Sequence, residues 1–428
     1  MRTRLLGAVA TAGVFLLAAC GSGQATGSDS NAATSSGAGG VVQLKMTAGF
    51  TGGDRASYEG LVKTFNDTHP NIQVTMEIQP WDSIAQTLPA AWGTGQGPDL
   101  ATPNFDPSIV AKYVQTSSVL SLNNFKGAGP GQIDTANLAP AALGAFTADG
   151  NLYAVPANMA TLQLYYNKAL FKAAGIAAPP ATSKDFKADA ISLTKSSAGV
   201  YGLALADHET IQMWPVLQWM DGGDIVGKDK CAVIDSTASV ATLKEWSDLV
   251  IKNGISAVGL TGAEADSLFS AGKAAMEING PWAADAYTKA GVDFGVASIP
   301  VGSAGPVTLA STVPLMIGKG TQHPQEAAAF LSWWTGQDAQ RQFALASGFP
   351  PVRTDMAGDA KLAANAVVQA FASALPSAKL YLPGVPNATK VDSEVYVPLI
   401  GEITRGADVA TSVKAAATAI NGLTGCTS

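Results

Sequence analysis

The sequence predicts an α/β fold on three observations. Apolar residues in the body of the chain alternate with polar ones over short runs and then recur at helical spacing, so strand and helix signals follow one another. Breaks that contain glycine and proline separate these runs, and no fixed repeat period is present. The roughly 390 residues after position 40 are also enough for two lobes, each with its own core.

The first twenty residues are set apart from this body. Arg2 and Arg4 give a basic start, residues 5–19 are apolar or small, and Cys20 directly follows Leu-Ala-Ala. This order predicts a signal peptide at residues 1–19. A cysteine at this place resembles the bacterial lipobox, whose thiol receives a diacylglycerol, so we expect a lipid on Cys20. An ordinary signal peptide followed by a chance cysteine is the alternative.

Residues 21–40 form a polar stretch between Cys20 and the body. Gly, Ser, Ala, Thr, Asn and Asp make up almost all of it, and no large apolar residue occurs. Such a composition cannot bury enough surface to offset the entropy of ordering the chain. The stretch is therefore predicted to be a flexible tether.

The body begins with alternating strands and helices. Residues 41–46 are predicted as a strand, and Asp54 is a candidate cap for a helix with four apolar residues at helical spacing. Ile72–Ile78 alternates as a half-exposed strand does, and the helix predicted at 81–92 has tryptophan at both ends. A glycine-rich break follows, and 99–101 is predicted as a short strand.

The stretch LFSAGKAAMEINGPW, residues 268–282, predicts where one strand stops. A helix end and a glycine turn precede a buried strand at 274–278. Pro281 cannot continue the hydrogen bonds of a sheet interior, so the chain must turn there. Trp282 is therefore expected at a strand end, which is where open α/β sheets place ligands.

Composition excludes some functions. The net charge is −7 and only 14% of residues are charged, so the chain has no basic field for nucleic acid. His208 and Glu209 begin like a zinc-protease helix, but Gln212 stands where the second histidine is needed, so we expect no metal site and no cofactor.

Cys231 and Cys426 are predicted to form a disulfide, with two free thiols as the alternative.

Five segments occur in an order that resembles a known family. They are Gly-Pro-Asp-Leu at 97–100, Tyr-Ala-Val-Pro at 153–156, Leu-Tyr-Tyr-Asn-Lys at 164–168, and the longer segments 269–282 and 327–351. Together they resemble the extracellular solute-binding protein family 1 of ABC importers, the group that includes the maltose-binding protein. The resemblance covers nearly the whole body.

The resemblance implies a two-lobed fold similar to that of periplasmic binding proteins. Each lobe is then a sheet flanked by helices, and the ligand cleft lies between the lobes at a hinge that the chain crosses several times. The expected N-lobe is 41–152 with 308–335, and the expected C-lobe is 153–307 with 336–428.

The resemblance also suggests ligand-binding residues on the C-lobe. Trp282 matches a tryptophan that stacks on sugar in the maltose-binding protein, although a tryptophan that plugs the lobe core is the alternative. Glu209 corresponds to a sugar-contacting glutamate, while Ile211 stands where the maltose-binding protein has an aromatic partner. Trp214 is either cleft wall or buried packing. Residues 387–393 lack the aromatic pair of the maltose-binding protein, so we expect a smaller or more hydroxyl-rich ligand than an extended oligosaccharide.

On the N-lobe, two strand-to-helix turns carry the candidates. Asp54 and Arg55 lie in the first turn, and Asn104 and Asp106 lie in the second, where Asp106 matches an aspartate of the family. Capping of a helix by the carboxylate is the alternative for both aspartates.

Two further candidates complete the expected site. Asn158 flanks a hinge strand, and Arg353 lies in a segment that the family shares, where lobe packing is the alternative role. Sugar sites combine aromatic rings with carboxylates, amides and guanidinium groups, which these residues supply.

We therefore expect a lipid-anchored, monomeric binding protein and not an enzyme. It would capture a carbohydrate, a mono- or small oligosaccharide, outside the cell and deliver it to the transmembrane subunits of an ABC permease. A polyol or a glycerol phosphodiester is the alternative ligand. A carbohydrate-active enzyme is the alternative class, although nothing in the sequence selects a catalytic carboxylate pair.

Overall fold

The computed structural model describes residues 40–104 and 109–426. The predicted signal peptide, the lipidated Cys20, the tether up to residue 39 and Asp106 lie outside the described residues.

Eleven strands and seventeen α-helices are present in the described part of the chain. The strands are β1 Val42–Ala48, β2 Ile72–Ile78, β3 Leu100–Ala101, β4 Thr147–Ala148, β5 Asn151–Leu152, β6 Ala154–Thr161, β7 Gln163–Asn167, β8 Met276–Asn279, β9 Phe294–Ala297, β10 Thr308–Ile317 and β11 Ala378–Leu380. The helices are α1 Arg55–Thr68, α2 Trp81–Gly93, α3 Ile109–Gln115, α4 Pro140–Ala145, α5 Lys168–Ala174, α6 Ser183–Leu193, α7 Met213–Met220, α8 Thr237–Asn253, α9 Gly262–Ser270, α10 Ala284–Lys289, α11 Pro324–Trp334, α12 Gln337–Ser347, α13 Ala360–Ala363, α14 Ala366–Ser373, α15 Ala388–Lys390, α16 Val397–Thr404 and α17 Val409–Thr424.

The larger sheet combines strands from distant parts of the chain. β2, β1 and β3 lie side by side and parallel, and β10 joins β3 in antiparallel orientation. β10 also pairs with β6 over most of its length and with β11 at its start. Alternate residues of β1, including Leu44 and Met46, are buried, as in a strand with one face against a core, and the strand predicted at 41–46 is found at Val42–Ala48.

The smaller sheet is antiparallel and holds the stretch that ends in Trp282. β7 lies between β8 and β9, with Leu164 opposite Ile278. The predicted strand of this stretch is confirmed, although β8 begins at Met276 rather than at 274. Gly272 before it has a φ of +66°, a left-handed conformation that favours glycine.

Two separate hydrophobic cores give the molecule its two α/β lobes, as the sequence predicted. One core packs around β1, β2, α1 and α11, and the other packs around β7, β8, α7 and α16. The chain passes from the first core to the second between Ala160 and Leu162, and returns between Leu309 and Val313. It crosses again before Phe371, so three connections join the lobes.

The C-terminal helix is fastened to the second lobe by a disulfide. Cys231 and Cys426 are joined, at a sequence separation of 195. Beside the disulfide, the backbone N–H of Ala232 donates to Asn421 Oδ1 of α17 at 2.8 Å. None of the helices in residues 40–104 and 109–426 has both the length and the apolar character that crossing a bilayer requires.

Candidate functional site

A cavity of about 250 Å³ lies where the two cores meet. On one side, its wall comes from the β1–α1 turn and the start of α2. On the other side, it comes from α9, the end of β8 and the start of α7. Residues of β6 and β10 line it between these two sides. The lining side chains that carry polar or aromatic groups are Phe50, Thr51, Asp54, Trp81, Asn158, Thr210, Gln212, Asp266, Asn279, Trp282, Ser311 and Phe349.

Trp282 lines this cavity from the end of β8. The chain leaves β8 through Gly280 and enters a short 3₁₀ turn at Pro281–Ala283, so the strand ends where the sequence predicted. The indole lies directly over Gly280, where a Cβ atom would come within 2.1 Å of the ring. Trp282 is only partly buried and packs against both cores, with its ring centroid 6.3 Å from that of Phe349. Trp282 therefore forms part of the cavity wall and does not fill the core of the second lobe.

The first lobe supplies a second aromatic wall. Phe50 is stacked on Tyr58 with ring centroids 3.5 Å apart, and Trp81 meets Phe50 edge to face at 5.8 Å. Gly49 allows this arrangement, because a Cβ there would lie 2.1 Å from the Trp81 ring. The sequence assigned Trp81 only to the apolar face of a helix, so its place in the cavity was missed.

Asp54 presents its carboxyl group to the cavity. The residue precedes α1, but its side chain makes no capping hydrogen bond, so the capping alternative does not describe it. It is 6% exposed, and burial raises the pKa of its carboxyl to about 7. Among the residues that the structure describes, no cationic side chain pairs with it.

Asn158 is held rigidly in the same wall. Its Nδ2 donates to the hydroxyl of Tyr58 at 2.5 Å, and its Oδ1 accepts from the N–H of Val313 at 3.2 Å. These bonds connect β6, β10 and α1, so the amide is fixed at a crossing between the lobes.

The second lobe adds a carboxyl group that the sequence analysis did not select. Asp266 of α9 lines the cavity and accepts from Asn279 Nδ2 at 2.6 Å. It also hydrogen-bonds to Glu277, which is fully buried and accepts from the Tyr287 hydroxyl. Burial, and then the charge of Asp266, raise the pKa of Glu277 well above its usual range, while burial raises that of Asp266.

The turn before α7 contributes polar side chains next to the predicted ones. Thr210 and Gln212 line the cavity. Glu209 lies in the same loop before α7 but is exposed, with a φ of +59°, and does not line the cavity. The Oε1 atom of Gln212 is buried and has no hydrogen-bond partner in the described chain. Ile211 is buried in the second core.

Four other predicted residues lie away from this cavity. Trp214 is fully buried, and its Nε1 donates to the carbonyl of Ala206. Arg55 points outward and pairs with Glu59 at 2.8 Å, with 56% of its side chain exposed. Arg353 and Asn104 do not line the cavity either.

Arg353 is held by two carboxylates rather than by a ligand site. Its Nη2 lies 2.7 Å from Asp355 and 2.9 Å from Asp134, and the residue is 8% exposed. This geometry matches the lobe-packing alternative. Asn104 lines a neighbouring cavity of about 60 Å³ together with Tyr381 and other residues of the C-terminal region.

No group of three or more metal-binding side chains is arranged to hold an ion within residues 40–104 and 109–426. The cavity instead combines aromatic rings with acidic and amide groups. This combination suits a polar solute with an apolar face.

Comparisons with known proteins agree with this arrangement. The family described as bacterial extracellular solute-binding protein matches residues 60–370. A putative binding protein of Brucella abortus is 27% identical over 339 residues, which cover 77% of this chain and 80% of that protein. The maltotriose-binding protein of Pyrococcus abyssi is 23% identical over 344 residues, which cover 77% of this chain and 70% of that protein.

Solved structures share the fold. The GacH receptor of Streptomyces glaucescens, described without ligand and with acarbose, has a TM-score of 0.80 and 24% identity, covering 90% of this chain and 99% of that one. The match of the family to most of the body confirms the resemblance found in the sequence. The chain therefore belongs to the bacterial extracellular solute-binding proteins, which bind solutes and are not enzymes.

Proposed function

We propose that this protein captures a carbohydrate outside the cell by closing its two lobes, and delivers it to an ABC permease. The observation that carries the proposal is the cavity between the cores, where the Trp81 and Trp282 rings accompany the polar groups of Asp54 and Asn158. Sugars offer an apolar ring face and a rim of hydroxyl groups, which such a wall can match. A ligand that touches both lobes favours the closed arrangement through its contacts with each.

The size and charge of the cavity narrow the ligand. About 250 Å³ lies below the roughly 300–1,000 Å³ of sites for drug-sized ligands, so a mono- or disaccharide suits it better than a long oligosaccharide. No Lys, Arg or His side chain lines the cavity in the part of the chain that is described. A glycerol phosphodiester is disfavoured, because Asp54 and Asp266 line the cavity and no cationic side chain of the described chain lines it to balance a phosphate.

The residue roles follow from these positions. Trp282 and Trp81 would stack on the sugar, Asn158 and Asp266 would meet its hydroxyl groups, and Asp54 would bind a polar substituent of the ring. Arg55, Glu209, Trp214 and Arg353 are not assigned to the ligand, because their side chains lie outside the cavity. The role of Asp106 rests on the family resemblance alone.

The lobes that we propose follow the two cores. The first comprises 41–161 with 312–353, and the second comprises 162–311 with 366–426. Relative to the expectation from sequence, this places β6 and α12 in the first lobe, since Ala157 and Phe343 pack there.

Thermal unfolding of the protein against a panel of sugars, polyols and amino acids tests the function. A ligand at about 100 times its Kd adds about 2.7 kcal/mol to the free energy of unfolding, which raises Tm by several degrees. We expect a mono- or disaccharide to give the largest shift and to be recovered unchanged. A panel in which only amino acids raise Tm contradicts the carbohydrate proposal, and turnover of a sugar contradicts pure binding.

Attachment to the membrane forms a separate part of the proposal. We propose that the exported protein is a monomer held at the outer face of the cytoplasmic membrane by a lipid on Cys20, since Leu-Ala-Ala-Cys resembles a lipobox. Cys20→Ala is expected to move the protein from the membrane fraction to the soluble fraction. Sedimentation of this soluble variant tests the monomer, and wild type that is already soluble contradicts the anchor.

A further inference from the structure

Two acceptor side chains on the cavity wall lack a side-chain donor in the described chain. Gln212 Oε1 is buried without a partner, and the buried Asp54 carboxyl accepts from no other side chain in the described chain. Two of the three amide groups on the wall already use their donors. Asn158 Nδ2 donates to Tyr58, and Asn279 Nδ2 donates to Asp266. A solute that brings donors therefore complements these acceptors.

The acidic groups on the cavity wall face no cationic side chain in the described part of the chain. Asp54 and Asp266 both line the cavity, and no cationic side chain does so in the described residues. Arg55 is next to Asp54 in sequence, but its guanidinium group is turned outward to Glu59. The groups that face the two carboxyls are Tyr58 near Asp54, and Glu277, Asn279 and Tyr287 near Asp266. None of these is basic.

Asp54 is the freer of the two carboxyl groups. Asp266 is already bound by Asn279 and Glu277, whereas Asp54 has neither a cap hydrogen bond nor an ion pair. Its own backbone N–H is the one group that bonds to the Asp54 carboxyl in the described chain. A buried carboxylate without a cationic partner costs free energy, and a bound cation lowers that cost. The rings of Trp81 and Trp282 on the same wall can also attract a cation through their faces.

We infer that the solute carries a protonated amino group, which binds to Asp54 within the aromatic wall, so that the preferred ligand is an amino sugar rather than a neutral sugar. An ammonium group supplies several donors, no acceptor and one positive charge, which is the complement of this wall. The inference rests on the proposed function, because it specifies which carbohydrate the same cavity takes.

Matched pairs of ligands test this inference. Isothermal titration calorimetry of the full chain near pH 7 would compare glucosamine with glucose, galactosamine with galactose, mannosamine with mannose, and chitosan disaccharide with cellobiose. In each pair that binds, the amine is expected to bind at least about tenfold more tightly. Equal or tighter binding of the neutral sugar overturns the inference and leaves the proposed function standing. If no member of any pair binds, the proposed function fails, and the inference fails with it.

Asp54→Asn provides the residue-level test. The ratio of amine to neutral-sugar affinity is expected to fall to about one in this variant, because the charge is lost while the shape is kept. Asp293→Asn is the matched control, since Asp293 is a surface carboxylate that pairs with Lys168 and does not line the cavity. An unchanged ratio in Asp54→Asn overturns the assignment of the ammonium group to Asp54.

A second measurement on the wild type does not depend on the folding of the variant. Between about pH 5.5 and pH 7 an amino sugar stays largely protonated. Its affinity is expected to rise across this interval as Asp54 ionises, while the affinity of the neutral sugar does not. A neutral sugar whose affinity rises equally contradicts the inference.

Discussion

Gly53 offers a test of lobe closure that leaves the ligand contacts untouched. The residue lies in the turn between β1 and α1 of the first lobe and does not line the cavity. A Cβ atom at this position would lie 2.9 Å from the backbone oxygen of Trp282 and 3.2 Å from the Ala286 Cβ, both in the second lobe. A backbone oxygen cannot rotate away, so Gly53→Ala forces the two lobes apart at this contact.

The magnitude follows from the cost of overpacking. An extra carbon in a close contact costs about 1–3 kcal/mol, and here the cost applies only when the lobes are together. The apparent affinity falls by the same free energy, which is a factor of about 5–150. The free energy of unfolding should change much less, because each lobe keeps its own core.

Calorimetric titration with the best sugar of the panel measures the affinity, and urea unfolding without ligand measures the stability. Gly60→Ala in α1 is the matched control, because no atom lies within 4 Å of a Cβ there. The control should bind normally and gain up to about 1 kcal/mol of stability from helix propensity. Wild-type affinity in Gly53→Ala refutes the argument that this contact belongs to the closed, ligand-binding arrangement.

Three further predictions concern the aromatic wall, the disulfide and the buried carboxyl group. Trp282→Ala should weaken sugar binding at least about tenfold. Trp214→Ala should mainly lower the free energy of unfolding, by about 3–5 kcal/mol, because it empties a fully buried site. Calorimetry measures the affinity and urea unfolding the stability, and a loss of affinity in Trp214→Ala with a loss of stability in Trp282→Ala contradicts the assignments. Replacing Cys231 and Cys426 by serine together should lower that free energy by about 2–4 kcal/mol, since the disulfide closes a loop of 195 residues, and an unchanged urea midpoint contradicts this. Burial in the folded state raises the pKa of Asp54 from its ordinary value of 3.8 to about 7, so its contribution to stability is present below about pH 4 and is lost as the pH rises towards 7. Asp54→Asn should therefore gain stability relative to wild type between about pH 5 and pH 8 without ligand, and a constant difference in urea unfolding would argue against the raised pKa.

Local sequence signals predicted much of the fold correctly. The alternation in β1 and β2 and the apolar spacing of α1 depend only on which faces of short segments are buried, and such periodicity is visible in one sequence. The end of β8 was predictable for a similar reason, because a proline stops a strand whatever packs around it. The two-lobed arrangement required the resemblance to the family as well.

The cavity was harder to predict because its members are distant in sequence. Trp81 occupies a helical position that normally indicates a core residue. It lines the cavity because Gly49, directly after β1, has no side chain to displace the Trp81 ring. Asp266 lies in an amphipathic helix, where a carboxylate usually faces solvent, and it is drawn inward by Asn279 at the end of β8. Neither contact leaves a local pattern in the chain.

On the proposed function, Trp282 would couple ligand binding to lobe closure. The chain turns at Pro281, so the indole stands at the end of β8 rather than inside the second core, and it packs against the first core as well. Its backbone oxygen also meets the turn that carries Asp54, through the close approach of Gly53. A solute that stacks on Trp282 and binds Asp54 therefore reinforces a contact that the lobes make only when they are together, and opening the lobes separates the two groups that hold it.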